Sequence, residues 1–304
     1  VPGIEDKDLP VLFHSADGAS LDAQRSFIRA TRWRLGLAVA AAVCAAFAGK
    51  LKLHDHLLLS YAAAVAFVCA LAIEVWLLTD RPEETWYDGR ALAESAKTLA
   101  WRFAVGGNPF AHRDPKAEEY LEQQLAELLE DAPNTRILPT DSPGVSARLR
   151  SLRKASLDVR METYVTGRVL DQQHWYATKA RYNEKAGERW KQALIAIELI
   201  GAVAAVLQAL EIIDVDLTSI ASTFIGIGVA WLAVKQHDQL ARAYSFASHE
   251  LSIVRSKLDG KMSEADWAVA VAEAEEAISR EHTMWRASHV VPDHAGARRA
   301  REGH

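Results

Sequence analysis

Residues 57–78, LLLSYAAAVAFVCALAIEVWLL, constrain this chain more than any other stretch. Glu74 carries the one charge in it, and Ser60 and Tyr61 are its other polar groups. At a helical rise of about 1.5 Å per residue, such a run matches the roughly 30 Å of a bilayer's hydrocarbon core. A helix in water turns a polar face outward every three or four residues, and this one has none. The segment reads as a membrane span. Averages conceal it: 50% of residues are apolar and 25% charged, as in a soluble protein, because the apolar residues gather in four blocks.

The first block, 35–49, is LGLAVAAAVCAAFAG, flanked by Trp33 and Arg34 and by Lys50 and Lys52, which can snorkel to the interfaces. The loop LKLHDH is short enough only for a tight hairpin into 57–78. A second hairpin joins 193–210 to 217–234 through EIIDVDLTS. No stretch alternates with period two, which argues against a sheet. The expected fold is an all-α membrane protein with two transmembrane helical hairpins. Its four spans (about 35–51, 57–78, 193–210 and 217–234) carry long cytosolic helical extensions packed as a bundle.

After the second span, Pro82 stands near a helix start, and the pattern continues through Trp86, Leu92, Ala96 and Leu99 to Phe103. Gly106, Gly107 and Pro109 end it. Residues 115–131 form a short acidic amphipathic helix, and a Pro-containing linker, 132–145, divides the halves. From Ser146 helical periodicity runs to Gln192, interrupted only at Gly167 and Gly187. A helix to Leu258 follows the fourth block, and Ser263 caps the last helix. Residues 1–20 are expected to be flexible and the basic tail 291–304 disordered. The same order of elements recurs in 21–131 and 146–290, which predicts an internal repeat.

The net charge of −5 gives no basic face for nucleic acid. Cys44 and Cys69 lie inside apolar blocks, so neither a disulfide framework nor a cysteine-rich zinc site is expected. The start VPGIEDKDLP does not read as a signal peptide. Lys179, Arg181, Lys185, Arg189 and Lys191 precede the second hairpin and Lys235 and Arg242 follow it, while its turn carries Glu211, Asp214 and Asp216. That charge bias predicts a multi-pass protein of the cytoplasmic (inner) membrane with both termini and the middle segment cytoplasmic. The first hairpin, with Lys50 and Lys52 in its turn, is ambiguous.

Three segments resemble one family. WYDGRALAESAKTLAWRF after the first hairpin, YVTGRVLDQQHWYATKARYNEKAGERW before the second, and EEAISREHTMWRASH near the end are similar to the SLATT domains. These are two-transmembrane effectors that accompany nucleotide-signalling and SLOG-type sensor proteins in bacterial conflict systems. The likeness covers residues 20–290 as two units in tandem. It implies a pore-forming or membrane-perturbing effector, with its trigger supplied by a partner or by its own cytosolic helices.

Candidate functional residues fall in two sets. Glu74 and Glu198 sit at similar depth near the inner end of their spans, where carboxylates are costly and usually face a partner or water. Each could belong to a ring of acids attracting cations in an oligomeric pore, or snorkel or pair with a cation such as Arg34 or Lys235. Ser219, Ser222, Thr223, Gly226 and Ala230 share one face of the fourth span, a pattern of close helix packing or of a hydroxyl-lined pore wall. In the cytosolic set, Trp86, Trp101 and Trp175 fit either a bundle core or a ligand or partner site beside Arg90, Arg168 and Gln172. His54, Asp55 and His56 read as a solvated turn more readily than as a metal site.

The chain carries no nucleophile elbow, P-loop, H-E-x-x-H or Rossmann glycines, so an enzyme is not expected, nor is a cofactor. The leading expectation is an oligomeric ion channel or pore-forming effector gated through its cytosolic helices. Its partners would be the lipid bilayer, further copies of itself, ions and an unknown cytosolic trigger. The alternative is a membrane-anchored scaffold whose cytosolic helices bind a partner.

Overall fold

The computed structural model describes residues 3–48, 53–132 and 144–289, with side chains for 3–48, 57–132 and 144–279. The linker 133–143, the tail 291–304 and the side chains of His54, Asp55, His56 and Trp285 lie outside the described residues. After a 3-10 turn at Asp6–Asp8 come α1 (Val11–Ala48), α2 (Leu53–Asp80), α3 (Pro82–Val105), α4 (Ala117–Glu130) and α5 (Ala147–Arg153). The chain continues through α6 (Leu157–Tyr164), a π-helical turn (Val165–Leu170), α7 (Asp171–Ala209), α8 (Leu217–Lys235), α9 (His237–Leu258) and α10 (Glu264–His289). The fold is all-α, with no strand among the described residues.

The chain divides into a core unit (Val1–Asp22, Glu84–Tyr176, Phe246–His304) and a span unit (Ala23–Glu83, Ala177–Ser245). In the core unit, α3 buries Leu92, Ala93, Ala96, Ala100, Phe103 and Ala104, a helical spacing that forms one apolar face. Leu121 and Leu125 of α4, Leu149 and Leu152 of α5 and Trp267 and Val271 of α10 belong to the same core. Tyr164 stands edge-on to both Trp101 and Trp267, with ring centroids 5.8 and 5.7 Å away. The Trp267 indole donates to the Val105 carbonyl at 2.8 Å, which satisfies its buried N–H. Gly106 turns the chain out of α3 at φ +77°, a conformation costly for residues with a Cβ.

Two expectations are corrected. Residues 9–20 do not belong to a flexible lead: α1 starts at Val11, and Leu9, Leu12, Phe13 and Ala16 are core residues. Pro, Gly and Asp shape only the first turn, and the apolar positions after it recur at helical spacing. Ser20 donates to the Trp86 carbonyl at 2.9 Å. The helical run from Ser146 breaks at 154–156, between α5 and α6, rather than at the glycines. Ser146 caps α5, accepting from the Leu149 N–H, and Ser156 is the extended residue that opens α6. Gly167 and Gly187 lie inside helical segments at close approaches instead. A Cβ on Gly167 would meet Trp101 at 3.4 Å, and one on Gly187 would meet Asp238 Oδ1 at 2.8 Å.

Among the described residues four helices are long and apolar enough to cross a membrane, and they indicate a multi-pass membrane protein. The span unit buries small residues: Ala41, Ala48, Ala63, Ala66, Ala204, Ala221 and Gly228. Leu58, Val65, Phe67, Val68 and Leu71 of α2, and Ile195, Leu199, Ile200 and Val203 of α7, are exposed. Small residues let helix backbones approach, while large apolar side chains are left for lipid.

Candidate functional site

The α7–α8 hairpin closes on two glycines. A Cβ on Gly228 would come within 2.5 Å of Leu194 Cδ2, and one on Gly201 within 3.0 Å of the Ala221 Cβ. Beyond this seam polar contacts join α7 to the start of α9: His237 Nδ1 and Asn183 Oδ1 lie 2.8 Å apart, and Lys191 pairs with Asp238 at 2.5 Å. Ala221 and Gly228 are seven residues apart, two turns, so both point the same way off α8.

That geometry fixes what the small-residue face of α8 does within one protomer. Ser219, Ser222, Thr223 and Gly226 lie on the side of α8 opposite Ala221 and Gly228, at about 100° of rotation per residue. Ser222 and Gly226 are exposed, and a Cβ on Gly226 would meet nothing within 4 Å. Ser219 joins the cap of α8: its N–H and Oγ both donate to the Asp216 carboxylate, at 3.0 and 2.5 Å. Thr223 donates to the Ser219 carbonyl at 2.9 Å. Among the described residues, Ser219, Ser222 and Gly226 of the stripe are left exposed and Thr223 half-buried.

The two span carboxylates are placed differently. Glu74 of α2 is half-buried and forms an ion pair with Arg34 of α1, joining the first hairpin across its width. Glu198, one turn beyond Leu194, is exposed, and no hydrogen-bond or ion-pair partner reaches it among the described residues. Its neighbours Ile195, Leu199 and Ile200 are exposed too. An uncompensated carboxylate at membrane depth demands a partner or water.

In the core unit Trp101 and Arg168 are brought together, buried beside the π turn. The Arg168 guanidinium grips Glu275 with two hydrogen bonds, Nε to Oε1 at 3.0 Å and Nη2 to Oε2 at 2.8 Å. Thr98 donates to Oε2 at 2.9 Å and Tyr164 to Oε1 at 3.0 Å, so three elements meet on one carboxylate. Burial alone would lower the Arg168 pKa; the attraction of Glu275 and its hydrogen bonds outweigh this and raise it. Burial, then the negative Glu275, pushes the Tyr164 hydroxyl well above its ordinary range. Arg168 is a fixed cation and Tyr164 a fixed donor.

Arg90 pairs with Glu94 at 2.9 Å and Asp17 at 3.7 Å. Trp86 stacks on Tyr87 at 4.9 Å, Trp175 meets Tyr176 edge-on at 5.3 Å, and Gln172 is buried. Sequence reasoning did not single out Glu275. Its register held the signal: Glu275 follows Trp267 by eight residues and Val271 by four, on the apolar face of α10.

Residues 10–161 match the family model of SMODS and SLOG-associating 2TM effector domain 3, and residues 164–285 match that of SMODS and SLOG-associating 2TM effector domain 1. The two matches meet where α6 gives way to the π turn. No curated protein and no solved structure matches the chain.

Proposed function

We propose, for a chain that belongs to the SMODS and SLOG-associating 2TM effector (SLATT) family and carries two such domains in tandem, that it acts as an oligomeric ion-conducting effector of the cytoplasmic membrane. The observation that carries this reading is Glu198, exposed on a span without a partner among the described residues. Four spans are too few to enclose a wide conduit. Several copies around an axis would give each Glu198 water or a neighbour, and would cover or wet the open Ser222 and Gly226 stripe. A ring of carboxylates raises the local concentration of cations and rejects anions. The reaction is passage of ions, and no bond-making step belongs to it.

Both termini and the core unit are cytoplasmic in this reading, following the charge bias around the second hairpin. Gating runs through α7, one helix from Asp171 to Ala209 that starts beside the π turn and ends in the third span. A trigger acting on the core unit would alter how α7 is held at that end. In a bacterial conflict or stress response, loss of the ion gradient would stop the cell.

Reconstitution in planar bilayers under a KCl gradient tests the proposal. Wild-type protein is expected to give a reversal potential of cation selectivity, and Glu198→Gln to move it toward zero while the oligomer seen by native mass spectrometry persists. A monomer in both detergent and nanodiscs, or conductance with no preference between K⁺ and Cl⁻, would overturn it.

A further inference from the structure

The span unit holds an open groove of about 790 Å³ lined by Gln24, Arg25, Ile28, Arg29, Arg32 and Trp33 of α1, with Gly36 beyond them and Lys235 of α8. Four cations line it and no acid does. Residues 25, 29 and 32 are four and three apart, so their side chains leave one face of α1. The Arg32 guanidinium lies 5.5 Å and the Lys235 ammonium 5.3 Å from the centroid of the Trp231 ring. Two like charges thus share one indole. Arg34, in the same unit, is neutralised by Glu74. Arg29, Arg32 and Lys235 have no carboxylate partner among the described residues.

Such a concentration of cations is unfavourable unless an anion answers it. The position of the groove says which kind of anion. It lies immediately before the apolar block at 35–48, at the depth of the headgroups, and ends at Trp33 and Gly36. Trp33 is exposed, as an interfacial tryptophan is. A Cβ on Gly36 would meet nothing within 4 Å, which leaves room for an acyl chain to run down beside the span. A free phosphate needs no such opening.

We propose that this groove is a binding site for the phosphate of an anionic phospholipid, with Arg29, Arg32 and Lys235 on the headgroup and Trp33 and Gly36 beside its chains. Basic pockets between membrane helices recognise such headgroups by the same chemistry. The site stands whether or not the spans conduct. A lipid bound here ties α1 to α8, the first hairpin to the second, through charge alone.

The full chain in detergent micelles, titrated with phosphatidylglycerol or phosphatidylcholine of identical chains and read by native mass spectrometry, tests the site. Wild-type protein should retain the anionic lipid over the zwitterionic one on the order of tenfold. The Arg29→Gln variant should lose several-fold of that preference with an unchanged melting temperature, because Arg29 is exposed and makes no hydrogen bond or ion pair among the described residues. The triple Arg29→Gln/Arg32→Gln/Lys235→Gln variant should lose the preference entirely. Lys185→Gln, an exposed lysine elsewhere on α7, should keep it. Equal loss in Arg29→Gln and Lys185→Gln would reduce the effect to net charge and overturn the proposal. So would displacement of the lipid by millimolar glycerol phosphate, which would mark a site for a soluble phosphate.

Discussion

The two units of this chain solve opposite problems with one kind of element. The core unit hides its largest side chains, Trp101, Trp267, Tyr164 and Phe103, and with them the charges of Arg160, Arg168 and Glu275. The span unit hides alanine and glycine and leaves Phe67, Leu71, Leu199 and Ile200 outside. Water rewards burial of apolar bulk, so the core unit is held by the hydrophobic effect. Lipid is as apolar as leucine, so the span unit gains from close backbone approach and from pairing of polar groups such as Arg34 and Glu74. A buried tryptophan and an exposed leucine are each the ordinary choice for their own surroundings.

The comparison is broken most directly at the buried ion pair. Arg168→Ala leaves Glu275 charged without its main partner and is expected to cost about 3–5 kcal/mol, measured as a fall in urea midpoint for the detergent-solubilised protein. Replacing both, as Arg168→Met/Glu275→Leu, should recover only part of that loss, because Thr98 and Tyr164 then lack their acceptor. Nη1 of Arg168 is buried without a hydrogen-bond partner, so the native pair is not fully compensated. A double variant as unstable as the single would show the pair to be a net stabiliser.

Truncation of a large apolar residue sharpens the contrast. Trp267→Ala should cost about 3–5 kcal/mol through its cavity, whereas Leu199→Ala, on the lipid side, should stay within about 0.5 kcal/mol. Equal losses in thermal melting would mean that Leu199 is covered by protein. Glycines give a smaller, matched test. Gly107→Ala would set a Cβ 2.4 Å from Val271 Cγ1 and should destabilise by about 1–3 kcal/mol. Gly226→Ala meets open space and gains helix propensity, so the protomer should be unchanged or stabilised by up to about 1 kcal/mol. A destabilised oligomer in that variant would show that the stripe is covered on assembly.

The smallest effect is one of pH. Burial, and then the positive Arg160, hold His112 of the core unit below the ordinary histidine value of 6.5. The unfolded chain therefore binds that proton more readily, and stability is lost as pH falls from about 6.5 through the folded pKa. His112→Gln should lack this component. Parallel stability curves for the two proteins between pH 7 and pH 5 would remove it.

The spans, the hairpins, the cap at Ser263 and the tandem plan were legible in the sequence because they depend on local patterns. Ser263 accepts from the Asp266 N–H and donates to its carboxylate, as a residue in that place before a helix should. What was not legible depended on partners distant in sequence. Phe13 and Ala16 looked like part of a loose lead because the face that covers them belongs to the core built around α3. Glu275 was not singled out because its partner Arg168 lies over a hundred residues away. Small residues alone do not say which face of α8 meets α7. Ala221 and Gly228 form it, and the richer stripe of Ser222 and Gly226 is left outward.

The π turn at Val165–Leu170 sets the phase of the first turns of α7. A π turn holds one residue more than an α turn, so it advances the side chains that follow it by about 100°. Deleting one residue there would restore a plain α-helix without shortening the span. Gln172 and Tyr176, both buried in the core unit, would then be rotated by more than a quarter of the circumference. One residue's worth of winding, in the turn that carries Arg168, decides which residues at the start of α7 the core unit buries.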